Sequence, residues 1–551
     1  MKGPSFFLVC YCVLLAARIV ASTMEPLSIP PSLFWDGDDG WWSSFHVQVG
    51  SPPQTLRVLP GTSASAGSVN DLGCSAVNPT LLDCSDRRGN LFHSNRSDSW
   101  STEGLQNGAD GAIYTLNTKE EVVLNRQGQG SYGYDTVILG SSGQNLPKLE
   151  HQLIAQIWTN DFFLGSLGLS PHPFNFTDFD DPQPSILSTL YNNSLLPSLS
   201  WAYTAGAHYQ SRETFGSLTF GGYDTTRFTE SNVSFAFGNG FTKDLMVHLE
   251  SITYNTEGAD ALLNKQSSID VFIDSLVPEI WLPVNICKQF EQTFNLTWHD
   301  KAQLYTVKED AHRALLAQNP EFTFELSQVG GSAADNSTTK IVLPYAAFDL
   351  NLTSPIAANE TRWFPLKQAQ NSSQYTLGRT FLQEAYLIVD YERRNFSVSQ
   401  ALFPWTSGQQ NLVAIEPPSA DSRSGKPSLS SGAIAGIVIG SATISCAVAF
   451  IAWLCMKRRR EPNVVVETVS NEKTADWSTP VEEVDASDTA LHEVDGSRSI
   501  KPELVAYEGA QGRHELLTEE GVKEVVGTIV PVELEAPVHS VEKKNNRGLS
   551  V

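Results

Sequence analysis

From residue 45 to about residue 403, apolar positions fall in short runs rich in β-branched and aromatic side chains. Residues 45–49, 134–139, 217–220 and 386–389 are examples. Clusters of Gly, Asn, Asp and Pro bound the runs, which predicts short strands joined by turns. Helical periodicity is scarce, and residues 285–294 form the best short helix. Two apolar stretches are of another kind. Residues 6–17 follow Lys2 and precede small residues at 19–22, the form of a secretory signal over 1–22. Residues 432–456 hold no charge and are long enough to span a bilayer. Lys457 to Arg460 follow at once, which places the C-terminus in the cytoplasm of a single-pass type I protein. Ninety-five residues follow the span, unlike a lipid-anchor signal, which ends in its apolar tail. A transmembrane β-barrel is not implied, because the export signal is paired with a helical anchor.

Composition sharpens this layout. The chain has 551 residues and a net charge of −24, a balance that argues against nucleic acid as a partner. N-x-S/T sequons begin at Asn95, Asn175, Asn192, Asn232, Asn295, Asn336, Asn351, Asn359, Asn371 and Asn395. All precede the apolar span, as an extracellular, plasma-membrane ectodomain requires. Of seven cysteines, two lie in the signal and two at the membrane. Cys74 and Cys84, ten apart, are expected to close a small disulfide loop. Cys287 is then unpaired and reads as a buried thiol. Residues 416–431, rich in Pro, Ser and Gly, read as a stalk, and 457–551 as a disordered acidic tail open to cytosolic partners.

Within 23–415 a family resemblance runs in order. Residues 49–54 read V-G-S-P-P-Q, a turn similar to the opening of pepsin-like aspartic peptidases. Residues 71–100 resemble the disulfide loop and the segment after it, and 130–140 (G-S-Y-G-Y-D-T-V-I-L-G) the strand after the flap. Residues 163–169 (F-L-G-S-L-G-L) resemble F-D-G-I-L-G-L with Leu164 in place of Asp, and 215–224 resemble G-x-L-x-x-G-G-x-D. Residues 272–283 take the place of the second active-site strand, and 375–390 that of the closing I-L-G-D-x-F-L-R…F-D. The resemblance implies an all-β bilobal fold with its lobes meeting near 225–245. Its zymogens carry a basic propeptide, whereas 23–50 is aromatic and acidic with no Lys or Arg before Arg57.

That family cleaves peptides with two aspartates that share one proton and hold a water. Counted without a gap from the turn, the first D-T-G-S-S reads Gly61, Thr62, Ser63, Ala64, Ser65. Asp274 matches the second aspartate, followed by Ser275 and Leu276 where T-G is usual. Serine keeps the hydroxyl, but leucine intrudes where the backbone should approach closely. The flap tyrosine is absent, its place falling near Val123 within 119–124. Asp71, in another D-x-G, reads as a loop acid. No histidine spacing matches a metal site and no cofactor is implied. The expectation is a non-catalytic pepsin fold that binds an extended peptide or protein in its cleft, scaffolds or senses. Rivals are an active membrane-anchored endopeptidase of yapsin type and a structural spacer. The tether, sequons and tail resemble membrane-anchored members from filamentous fungi.

Overall fold

The computed structural model describes residues 24–63, 67–69, 83–105, 112–116, 119–176, 181–240, 243–254, 260–331, 337–404 and 410–418. All of these belong to one compact unit. The expected signal at 1–22, the expected span at 432–456, the expected tail, Cys74, Asp71 and Asn336 lie outside them. No helix among the described residues is long and apolar enough to cross a membrane.

The fold is mostly strand, as the apolar runs predict. The first lobe is an eight-stranded sheet whose centre is Gln129–Leu139, Trp42–Val49 and Gln54–Gly61. The second lobe has its own eight-stranded sheet around Met246–Tyr254 and Ile269–Ile273, and a four-stranded sheet beside it. A six-stranded sheet joins the halves. It runs from Leu27–Ile29 through Thr214–Phe220 and Ser200–Ala207 to Ala385–Asp390, Asn395–Gln400 and Phe235–Ala236. Its members come from before, between and after the two lobes' own strands, which lie within 31–168 and 246–377, so this sheet, unlike theirs, is discontinuous in sequence.

The lead-in is more ordered than its composition indicates. Leu27–Ile29 and Pro31–Asp36 are strands, the first paired with Thr214–Phe220 and the second with Trp42–Val49. Partner edges decide this, since short strands take their stability from cross-strand contacts more than from local preference. The helix Val284–Phe294 buries Ile286, Phe290 and Phe294 at fourfold spacing and ends on Asn295 at φ 52°. Asparagine tolerates that left-handed stop. Cys287 on the same helix is free and buried, and Cys84 is disulfide-bonded.

The two active-site strands obey one rule. Gln54–Gly61 runs parallel to Gly165–Gly168 with Pro60 opposite Leu167 and Gly61 opposite Gly168. Ile269–Ile273 runs parallel to Thr376–Leu377 with Ile273 opposite Leu377. One step further sets Asp274 against Gly378. Gly61 is therefore the two-fold counterpart of Asp274, in agreement with the gapless count.

Candidate active site

At the junction of the lobes, Thr62 and Ser275 hold one another in a reciprocal grip. Thr62 N–H donates to Ser275 Oγ (2.9 Å), and Ser275 N–H donates to Thr62 Oγ1 (3.1 Å). Ser275 Oγ donates in turn to the Pro60 carbonyl (2.7 Å). Both residues are buried, so every one of these polar groups needs the partner it has. A serine hydroxyl in place of the family threonine completes the pattern. The degenerate motifs have thus kept their interlobe hydrogen bonds.

Asp274 is wholly shielded from solvent. Its Oδ1 accepts from Leu276 N–H (2.9 Å) and Thr62 Oγ1 (3.3 Å). On the opposite strand, Gly61 supplies backbone only; its carbonyl accepts from Leu169 N–H (2.9 Å). The second carboxyl comes from elsewhere. The flap is a hairpin of Ile113–Thr115 against Gln129–Leu139, and between them lies the short helix Lys119–Val122. Its Glu121, 1 % exposed, reaches down to the floor and accepts from Ser63 Oγ at 2.8 Å.

Glu121 Oε2 and Asp274 Oδ2 have no other hydrogen-bond partner. The two carboxyls are within hydrogen-bonding reach of each other once one bears a proton. Burial, then the charge of Asp274, pushes Glu121 well above the usual carboxylate range. Burial also raises Asp274, opposed by the Leu276 N–H, by the hydrogen bond from Glu121 and by the Arg379 charge. Two like groups in one dry site cannot both ionise. The proton therefore rests on Glu121, which donates to the Asp274 carboxylate, and the pair titrates as a unit.

The flap is fastened over this contact. Lys243 Nζ pairs with Glu120 (3.2 Å), Arg126 with Glu279 (2.9 Å), and Gln374 Nε2 donates to the Val123 carbonyl (2.6 Å). Leu124 packs with Val277, Trp281 and Ala369 of the second lobe. Leu276, where the family has glycine, is buried against Leu105, Ala112, Leu116 and Tyr132 beneath the flap. Its side chain fills the space that a close backbone approach would leave open.

Behind Asp274, Arg379 stands where the closing motif has aspartate. Its guanidinium donates to the Ser275 and Leu276 carbonyls (both 2.9 Å), pairs with Asp39 (3.2 Å) and lies over the Trp42 ring (4.9 Å). Trp42 Nε1 donates to Asp39 (2.6 Å), and Trp363 Nε1 donates to the Asp39 carbonyl. Of the acidic lead-in, Asp39 belongs to this buried lattice, with Trp42 beneath Arg379, while Trp41 stacks on His208 at the surface. Leu164 packs in the same region with Leu59 and Trp363. Glu121 carries no signature in the sequence: it is one acid of a Glu-Glu pair seated by Ser63, far before it in the chain, and Asp274, far after it.

Among the described residues no group of three or more His, Cys, Asp or Glu could hold a metal. His172, His248 and His312 each face one aspartate.

The fold and its pair of two-fold-related strands define the class: an acid-protease architecture with an aspartate one residue past the end of one of those strands. The eukaryotic aspartyl protease family matches residues 44–401, and the chain belongs to that family. It is similar to the probable aspartic-type endopeptidase opsB of Aspergillus fumigatus, 23 % identical over 67 % of this chain and 70 % of that protein. It is similar also to secreted aspartic protease 6 of Candida albicans, 22 % identical over 68 % of this chain and 78 % of that one.

Proposed function

We propose that this is a surface-tethered, N-glycosylated pepsin-fold protein that does not cleave peptides as its relatives do, and that binds or scaffolds other proteins. The observation that carries the reading is the companion of Asp274. It is Glu121 of the flap, seated where a water and a scissile carbonyl would have to lie, while the strand position opposite is Gly61. Hydrolysis needs the paired carboxyls below the peptide with a water between them. A carboxyl that descends from above excludes both.

The tether rests on the uncharged run at 432–456 and the basic residues after it. Glycosylation is supported by position: of the nine described sequon asparagines, seven are exposed and Asn351 and Asn395 are half-buried. The Candida relative is a secreted aspartic protease, which fits an extracellular setting for this chain.

The endopeptidase reading draws on the same carboxyl pair, since two carboxyls sharing a proton are its chemical core. One assay separates them: full-length protein against a broad peptide library at acid pH, with and without pepstatin. The expected result is no pepstatin-sensitive cleavage. Cleavage that disappears in Asp274→Asn would establish the endopeptidase instead. Capture of peptides or proteins by the immobilised protein distinguishes a binder from a spacer.

A further inference from the structure

An extended peptide in the cleft must pass between the flap and the strand that bears Asp274. In this structure Glu121 occupies that passage. Most of the fastenings around it join opposite charges or apolar surfaces, and those do not weaken near neutral pH. The Glu121–Asp274 contact differs, because it joins two acids and holds only while one proton lies between them.

We propose that Glu121 and Asp274 form a one-proton latch: with the proton, the flap helix Lys119–Val122 is held on the floor and the cleft is shut; without it, two buried carboxylates oppose each other and the flap lifts. This rests on the reading that the site performs no peptidase chemistry, and it supplies the regulation of that site. Peptide entry and flap closure then compete for the same space.

The charges facing the pair come from each surrounding element. Glu120, on the flap helix, is engaged by Lys243 from the loop before Met246–Tyr254. Arg126, at the flap base, is engaged by Glu279, which Lys367 also attracts. Arg379, behind Asp274, is held by Asp39 and two carbonyls. Among the described residues, the segment after the strand that ends at Gly61 adds the hydroxyls of Thr62 and Ser63. Each cation already has its own anion, so none is free to neutralise a second carboxylate at the latch. Arg379 favours ionised Asp274, which leaves the proton on Glu121.

The direction with pH follows by linkage. The latched form binds one proton more than the released form at any pH above the ordinary glutamate range and below the raised value of the closed pair. Across that window the released form gains about tenfold per pH unit. Acid closes the cleft and neutral pH opens it.

Hydrogen exchange on the full-length protein tests this. Protection of residues 119–126, corrected for intrinsic rates, is followed from pH 4 to pH 8. The expected wild-type profile falls by about a hundredfold over two pH units above the glutamate range. Glu121→Gln keeps an amide donor toward Asp274 but cannot ionise, so its flap stays protected and its profile is flat. In Asp274→Asn burial alone still favours the Glu121 proton, so the slope is kept but its window ends at lower pH than in the wild type. The strand Ser200–Ala207 reports global folding in each variant. A flat wild-type profile, or a slope in Glu121→Gln equal to that of the wild type, overturns the latch. If a variant loses protection at Ser200–Ala207, the wild-type slope decides alone. Cleavage assays on the same samples stay separate: pepstatin-sensitive activity would remove the non-catalytic reading, and a flat exchange profile without cleavage would remove only the latch.

Discussion

Thr62 and Ser275 tie the two active-site strands together through a reciprocal pair of hydrogen bonds. Each backbone N–H in the grip is buried and donates to the other residue's hydroxyl oxygen. Removing one hydroxyl leaves a buried N–H unsatisfied, at a cost of about 1–3 kcal/mol. Thr62→Ala and Ser275→Ala are each expected to lower the urea midpoint accordingly. In the double variant the loss is expected to be smaller than the sum, because the two share one network. Arg379 makes the sharper case. Arg379→Met would strand Asp39 as a buried charge, a loss of about 3–5 kcal/mol. Asp39→Asn combined with Arg379→Met removes both charges and is expected to recover a large part of it. A double-mutant cycle by denaturant unfolding checks the difference. If Arg379→Met were neutral, the interlobe ion pair would have no structural weight.

At the scale of elements, the flap and the two active-site strands have exchanged roles. In the family plan both acids sit on strand ends and the flap is a cover; here one acid sits on the cover. Gly61→Asp puts a third carboxyl against Glu121 and Asp274, and is expected to reduce flap protection at neutral pH by tenfold or more. Gly61→Asp with Glu121→Ala restores a strand-borne pair. It is expected to gain a pepstatin-dependent rise in melting temperature at acid pH that neither single variant shows. The strands themselves were legible in sequence. Residues 45–49, 134–139, 217–220 and 386–389 all lie in strands, and the register at Gly168 agrees with the count that ends at Gly61. The strands at Leu27–Ile29 and Pro31–Asp36 were not, because their partners lie at 218–220 and 42–45 and no local signal names them. Glu121 was illegible for a related reason. A charged residue on a four-residue helix reads as surface, and contacts distant in sequence, among them Ser63, Lys243 and Gln374, bring it inside.

Across the whole molecule, buried carboxyls set how stability responds to pH. Burial raises Glu384 to about 7 against its hydrogen bonds from Tyr209 and Gln400, and raises Asp38 to about 8 with help from the Asp39 charge. Glu121 and Asp274 shift the same way. Each binds its proton more tightly folded than unfolded, so stability present at acid pH is lost as pH climbs from the ordinary carboxylate range toward 8. Glu279 and Glu325 are shifted down, and their contribution is lost only in stronger acid. The urea midpoint is expected to fall between pH 5 and pH 8, and a midpoint that rises over this interval would contradict the assignment. The short strand Leu412–Ala414 has a different consequence. It pairs with Gly222–Asp224 just before the stalk, through three residues on each side. If the proposed tether is present, a pull on it would enter the fold here, through a small ribbon outside the large sheets. That ribbon would work as a fuse: it can come away under tension and lengthen the stalk while the six-stranded sheet that joins the lobes stays whole.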